Sequence, residues 1–438
     1  MGIWSQAGRL AAQTPATRNR YVDFLRAVSI LCVIFGHWLA ATGYYHDGEL
    51  APGDMVKLVP WTQWLTWIFQ VMPIFFIVGG YANAVSLQGA NRRGVGYAGW
   101  LATRLNRLIS PLLVLLLVWA LIALVMHLFG VSRGVIQLAS KVSLVPIWFL
   151  AIYVMVVILA PATYAAWQRW GFVSFFAGVA LAALVDLAFF AADLRWLGWT
   201  NYFWVWLTVH QLGYAWRDGR LGNPTRLLAY SALGLLALVL LIFTGPYPLA
   251  MVKSPDPDIS NTLPPKITLL ALAVLQFGLL MSVEAPMRRL LDSDRLWTAT
   301  VLINSMIMTL YLWHMTMTVL LVSVAYLANG FGLGLEPGST AWWWTRPVWL
   351  GTLAIALVPV ALLFSPLERR SRPAGAPVPS AVRQVSGAAL LCLGVAILAY
   401  LGIGGGPNTG TDITAFALVL VGAAVSGLLP GLRRSVDS

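Results

Sequence analysis

An arginine and a histidine, Arg26 and His37, stand inside one apolar run that extends from Asp23 to Trp38. Guanidinium and imidazole groups are costly in lipid, so a membrane segment that keeps both uses them. They are eleven residues apart, close to three helical turns, which puts them on one stripe with about 16 Å of axial rise between them. A guanidinium binds phosphate or carboxylate through paired hydrogen bonds. An imidazole titrates near neutral pH and can take a proton from a reacting hydroxyl. One stripe thus offers an anion-binding group near one membrane face and a proton acceptor deeper in.

Other residues could join them. Arg104-Leu105-Asn106-Arg107, followed by Pro111, sets two guanidiniums three residues apart on one helix face, a spacing that can clamp a phosphate. Pro73 and the pair Gly79-Gly80 permit a kink and close backbone approach in the second apolar run. Trp148-Phe149-Leu150 opens another run. Asp186, His210 and His314, the last in Tyr311-Leu312-Trp313-His314, are ionisable groups within apolar segments. Each of these, taken singly, has a structural reading: a satisfied hydrogen bond, a packing motif or, for the Arg104/Arg107 pair, an anchor at a helix end, which is the better reading of that pair on its own. His46 and His127 lie in a loop and near a helix end and receive no role.

The elements that must position these groups are membrane helices. The chain of 438 residues is 59% hydrophobic and only 10% charged, with mean hydropathy +0.78, and its apolar residues come in long runs. That composition predicts an all-α, polytopic helical membrane protein. Twelve spans are expected, near 23–43, 64–86, 108–130, 143–163, 171–192, 197–216, 226–246, 267–284, 299–327, 347–366, 386–405 and 412–430. With both termini inside, 21 of the 28 basic residues fall in inner segments. The seven outer ones are Lys57, Arg133, Lys141, Arg195, Lys253, Lys266 and Arg346. This bias predicts cytoplasmic termini in a cell inner or plasma membrane. The organisation expected is a cytoplasmic tail (1–20), a ten-helix membrane domain (21–370), a Pro/Arg linker (371–385), a two-helix hairpin (386–430) and a second tail (431–438). No loop is long enough for a soluble domain, and no internal repeat stands out. The Arg-rich, Lys-poor usage fits a GC-rich, bacterial coding sequence. The net charge of +12 is a matter of loop topology and implies no nucleic-acid partner. Cys32 and Cys392 both lie in apolar helices, so neither a structural disulfide nor a cysteine metal site is expected.

Two functions fit the residues alone. One is an enzyme that holds a phosphate-bearing donor on Arg26, Arg104 and Arg107 and uses His37 as a base. The other is a proton-coupled transporter or lipid flippase with a relay through His37, Asp186, His210 and His314.

In sequence order, the motifs resemble the membrane acyltransferase-3 family. The resemblance rests on Tyr21-Val22-Asp23-Phe24-Leu25-Arg26-Ala27 with the Arg26–His37 spacing, then Pro73 through Gly80, Arg104 and Arg107 with Pro111, Trp148-Phe149-Leu150, and Tyr311 through His314. It covers roughly residues 20–370. It implies an acyl donor, usually acetyl-CoA, bound from the cytoplasm as a substrate, with no tightly bound cofactor and no metal. It implies an acceptor hydroxyl on an envelope glycolipid or glycan. By the same resemblance His37 is catalytic, and Arg26, Arg104 and Arg107 bind the donor. Asp23, Trp148, His210, His314 and Glu368 are supporting residues. The acid that many members carry shortly after the Trp-Phe-Leu motif is absent, since Ala151 to Val156 contains none. Glu368 in Ser365-Pro366-Leu367-Glu368 stands where members carry a glutamate after the last core helix.

Overall fold

The protein is described by a computed structural model over residues 2–15, 17–46, 48–252, 259–368, 377–406 and 409–429. Lys253, Arg369, Arg370, Arg372, Arg433 and Arg434, residues 371–376 of the expected linker and the last tail lie outside the described residues.

Helix α1 (Ile3–Ala12) precedes α2 (Arg20–Ala40), whose N-terminus is capped by the Asn19 side chain accepting from Tyr21 N–H at 3.1 Å. A hairpin of β1 (Ala41–His46) and β2 (Glu49–Asp54) follows, in antiparallel register from Ala41 opposite Asp54 to His46 opposite Glu49. Helices α3 (Met55–Leu58) and α4 (Thr62–Phe69) lead into α5 (Met72–Arg92). Then come α6 (Tyr97–Leu128), α7 (Arg133–Leu144), α8 (Ile147–Trp170), α9 (Phe172–Ala191) and, after a short 3₁₀ turn, α10 (Asn201–Arg217). The chain continues through α11 (Pro224–Thr244), α12 (Thr268–Ser282), α13 (Glu284–Leu290), α14 (Asp294–Ser305), α15 (Ile307–Leu327) and α16 (Thr340–Glu368). It closes with α17 (Ala381–Leu401) and α18 (Thr409–Val425).

Among the described residues helices hold 78% and strands 3%, so the fold is all-α. Among the described residues nine helical segments are long and apolar enough to cross a membrane: α2, α4 with α5, α6, α8, α9, α11, α15, α16 and α17. The pair α12–α13, bent by 55°, makes a tenth if it is one span. Each of the twelve expected segments coincides with helix, but α10 and α18 have only 17 residues. At about 1.5 Å per residue such a helix is shorter than a bilayer core of about 30 Å. Helix α10 is short because protein rather than lipid surrounds it: nearly every residue from Val205 to Trp216 is buried.

Two breaks interrupt what read as continuous runs. Between α4 and α5 the buried Gln70 satisfies the exposed backbone. Its amide donates to Met251 O at 3.0 Å and its own carbonyl accepts from Gln276 at 2.9 Å. The run expected over 299–327 is broken at Met306 into α14 and α15. The new N-terminus is met by the Glu368 carboxylate, which accepts from Met308 N–H at 3.1 Å and from Thr309 N–H at 3.0 Å.

Helices α5 and α10 touch backbone to backbone at Gly80 and Gly213. A Cβ on Gly80 would run into the His210 carbonyl oxygen and lie 3.2 Å from the Gly213 Cα. Beyond α16, helix α17 lies against α6, α7 and α8. The turn after it is tied to α7 by Gln137 donating to Leu401 O at 3.1 Å and by Arg133 donating to Gly404 O at 2.7 Å.

Candidate active site

Helices α2 and α15 bring the two histidines together. His37 Nδ1 lies 2.9 Å from His314 Nε2, with the rings stacked at 5.2 Å between centroids and 11° between planes. His314 is fully buried, and its Nδ1 is 2.6 Å from the Tyr311 carbonyl oxygen. A carbonyl can only accept, so His314 Nδ1 carries a proton. In the neutral ring Nε2 is then an acceptor, and His37 Nδ1–H donates to it. The lone pair of His37 is thereby assigned to Nε2, the tautomer in which that nitrogen can receive a proton. The adjacent Trp38, also buried, donates from Nε1 to the His314 carbonyl at 3.0 Å and locks α2 to α15.

Basic residues before and within α2 and on α6 form a second cluster. Asp23, 5% exposed, accepts from Arg18 at 2.6 and 3.1 Å and lies 3.5 Å from Arg26. Arg26 is in electrostatic reach of Arg107, and Arg104 of both. Arg104 is half-buried over the Trp100 ring, with Nη2 donating to Ala82 O at 3.4 Å, whereas Arg107 is exposed and acts on Glu368. Four guanidiniums therefore face two carboxylates, Asp23 and Glu368. This excess of positive charge suits a multiply charged anion.

Aromatic residues of three motifs converge between the two clusters. The Phe149 ring meets Phe75 at 5.4 Å, Phe76 at 5.5 Å, Tyr153 at 5.9 Å and Tyr311 at 5.7 Å. Tyr311 donates its hydroxyl to Pro146 O at 2.6 Å, which sets the start of α8 against α15. Tyr153, one turn after Phe149, stands over Gly79, where a Cβ would come within 2.8 Å of its hydroxyl. Its phenol is in electrostatic reach of Arg26 and Arg104.

Of the residues singled out from sequence, His37 meets His314, and Arg26 joins Arg104, Arg107, Asp23 and Glu368. Trp148 packs on Tyr202 at 6.4 Å. His210 is taken up by Asn83, 3.1 Å from its Nε2, and by the Tyr214 ring. Asp186 accepts from Asn201 at 2.9 Å, Tyr247 at 3.1 Å and Ile267 N–H at 2.8 Å. The four groups of the expected relay are thus divided among three separate networks. Arg18 and Tyr153 were not singled out from sequence. Arg18 was assigned to the N-terminal tail, and the only sign of Tyr153 was its place one turn beyond Phe149.

A bundle of membrane helices with a histidine pair and a separate cationic cluster defines a polytopic membrane protein with a candidate base and a candidate anion site. The model of the acyltransferase-3 family, described as an acyltransferase domain, matches residues 19–366, more than three-quarters of the chain. The protein belongs to that family and is a membrane acyltransferase; α17 and α18 lie beyond the matched residues. No curated protein and no solved structure matches the chain.

Proposed function

We propose that the protein is an O-acyltransferase that moves an acyl group, acetyl first among them, from cytoplasmic acyl-CoA to a hydroxyl of an envelope glycolipid or glycan. The observation that carries this reading is the His37–His314 pair, with the lone pair placed on His37 Nε2. Arg26, Arg104 and Arg107 bind the phosphates of CoA, for which the charge excess at that end is suited. The pantetheine arm runs along the α2 stripe and brings the thioester to His37.

As the acceptor oxygen bonds to the thioester carbonyl carbon, His37 Nε2 takes the hydroxyl proton. The C–S bond then breaks, and the departing CoA thiolate receives that proton from His37. The products are an ester and CoA thiol. General-base assistance of this type is worth about 10²–10⁴ in rate. Direct transfer needs no group beyond this base.

The test uses purified protein in lipid nanodiscs with radiolabelled acetyl-CoA and envelope lipid extract. Transfer of label by the wild type, with loss of transfer but retained acetyl-CoA binding in His37→Ala, is the expected result. Wild-type transfer by His37→Ala overturns the assignment of the base. Mass spectrometry of the lipids and glycans of a deletion strain then identifies the acceptor by its missing acyl increment.

A further inference from the structure

Arg346 is a buried basic residue that the acyl-transfer chemistry leaves unused. It lies on α16, whose last residue, Glu368, sits with the cationic cluster. The 22 positions between them correspond to about 33 Å of helix, so Arg346 is at the opposite end of the bundle from Arg26, Arg104 and Arg107.

Arg346 is only 5% exposed. Its guanidinium carbon stacks 4.0 Å from the centre of the Trp342 ring and 5.3 Å from that of Trp349. Nε donates to the Trp342 carbonyl at 3.3 Å. Among the described residues Nη1 has no acceptor, and no acidic side chain acts on the group. Trp342, one turn earlier on the same face and 1% exposed, also has an indole N–H without an acceptor. Two buried donors, one of them cationic, thus sit on adjacent turns with nothing among the described residues to receive them. Buried donors are rarely left so. The stacking explains why the guanidinium tolerates burial but supplies no oxygen to its N–H groups.

Covering segments link this end of the bundle to the strand that follows α2. Trp343 meets Trp61 at 5.4 Å, just before α4. Tyr45 of β1 donates its backbone N–H to Leu333 O at 2.9 Å in the loop that leads to α16. Strand β1 is the direct continuation of α2, starting four residues after His37. Trp342 also lies in the first turn of α16, where the helix dipole favours negative charge.

We propose that Arg346 and Trp342 form an oxyanion site at the end of the bundle opposite the cationic cluster, and that it takes a phosphate group, free or carried by a lipid. The guanidinium supplies the charge-assisted hydrogen bond and the indole a second, neutral one. The site does not depend on the acyl-transfer reading, and acetyl-CoA binding reports on that reading separately.

The experiment measures thermal stability and native-mass-spectrometric adducts of purified protein. Three probes are used: inorganic phosphate, short-chain phosphatidylglycerol and short-chain phosphatidylcholine. The wild type is expected to gain stability and a retained adduct from at least one phosphate probe. In Arg346→Gln that probe should bind at least tenfold more weakly, while acetyl-CoA affinity is unchanged. A response to inorganic phosphate marks a free anion as the ligand; a response to a phospholipid alone marks a lipid headgroup. Trp342→Phe keeps the ring and its stacking and removes one donor, so it reads the site even if Arg346→Gln does not fold. It is expected to weaken the same probe several-fold. Absence of any wild-type response, or wild-type binding in the folded variants, overturns the proposal.

Discussion

Replacing His314 with leucine tests the tautomer argument directly. The change removes the acceptor 2.9 Å from His37 Nδ1 and leaves His37 itself in place. A neutral hydrogen bond is worth about 0.5–1.5 kcal/mol net, so the bias toward the working tautomer falls by about two- to tenfold. The imidazole also loses its orientation against the stacked ring, and misplacement by about 1 Å at a reacting centre costs on the order of 100-fold. The expected fall in kcat is therefore about 10- to 100-fold, below the full loss of general-base help at about 10²–10⁴. His314→Gln, whose amide oxygen can accept from Nδ1–H, should recover most of the rate. KM for the acyl donor should hold steady in both, because the cationic cluster is untouched. The double variant with His37→Ala should be no slower than His37→Ala alone, since residues that act as a unit are not additive. Release of CoA thiol, followed with a thiol reagent, gives all four rates. A wild-type kcat for His314→Leu, or fully additive losses in the double variant, refutes the reasoning.

The cationic cluster should respond through binding. Arg104→Ala is expected to weaken acetyl-CoA by about 10- to 100-fold, from the loss of a charge-assisted hydrogen bond of about 1.5–3 kcal/mol; isothermal titration at two salt concentrations reads it, with the smaller deficit at high salt. Gly80→Val drives a side chain into the His210 carbonyl and should destabilise the α5–α10 contact by about 1–3 kcal/mol, seen as a lower melting temperature in detergent. Lys266, in the segment before α12, is held over the Phe189 ring at 3.6 Å, and burial lowers its pKa from 10.5 to about 8 against the opposing charge of Asp186. The unfolded chain holds that proton more tightly, so stability should rise between about pH 8 and 10.5. Lys266→Met should accordingly raise the melting temperature at pH 7, with the gap to the wild type narrowing as pH approaches about 10.5.

Helix positions were legible because lipid imposes long apolar runs, and these leave a plain signature in composition. Breaks inside a run were not. The split at Met306 is marked in sequence only by the polar pair Asn304-Ser305, and it is matched by Glu368, a carboxylate sixty positions beyond Met308. The hairpin of β1 and β2 read only as a loop, since its pairing is short and lacks alternation. Arg26 and His37 announced themselves because a charged or titratable group in lipid is conspicuous. Their partners came from far along the chain: His314 is 277 residues from His37. Sequence alone could not separate His314 from His210 and Asp186, which look equally out of place in an apolar run. Hydrogen-bond partners separate them, and partners are tertiary.

The Tyr311 carbonyl that accepts from His314 has one further consequence. It is a terminus: a carbonyl holds no proton to hand on. A proton that arrives on His37 cannot travel through His314 to the other side of the membrane and must leave from the ring it entered. The histidine pair therefore works as a cul-de-sac and not as a wire.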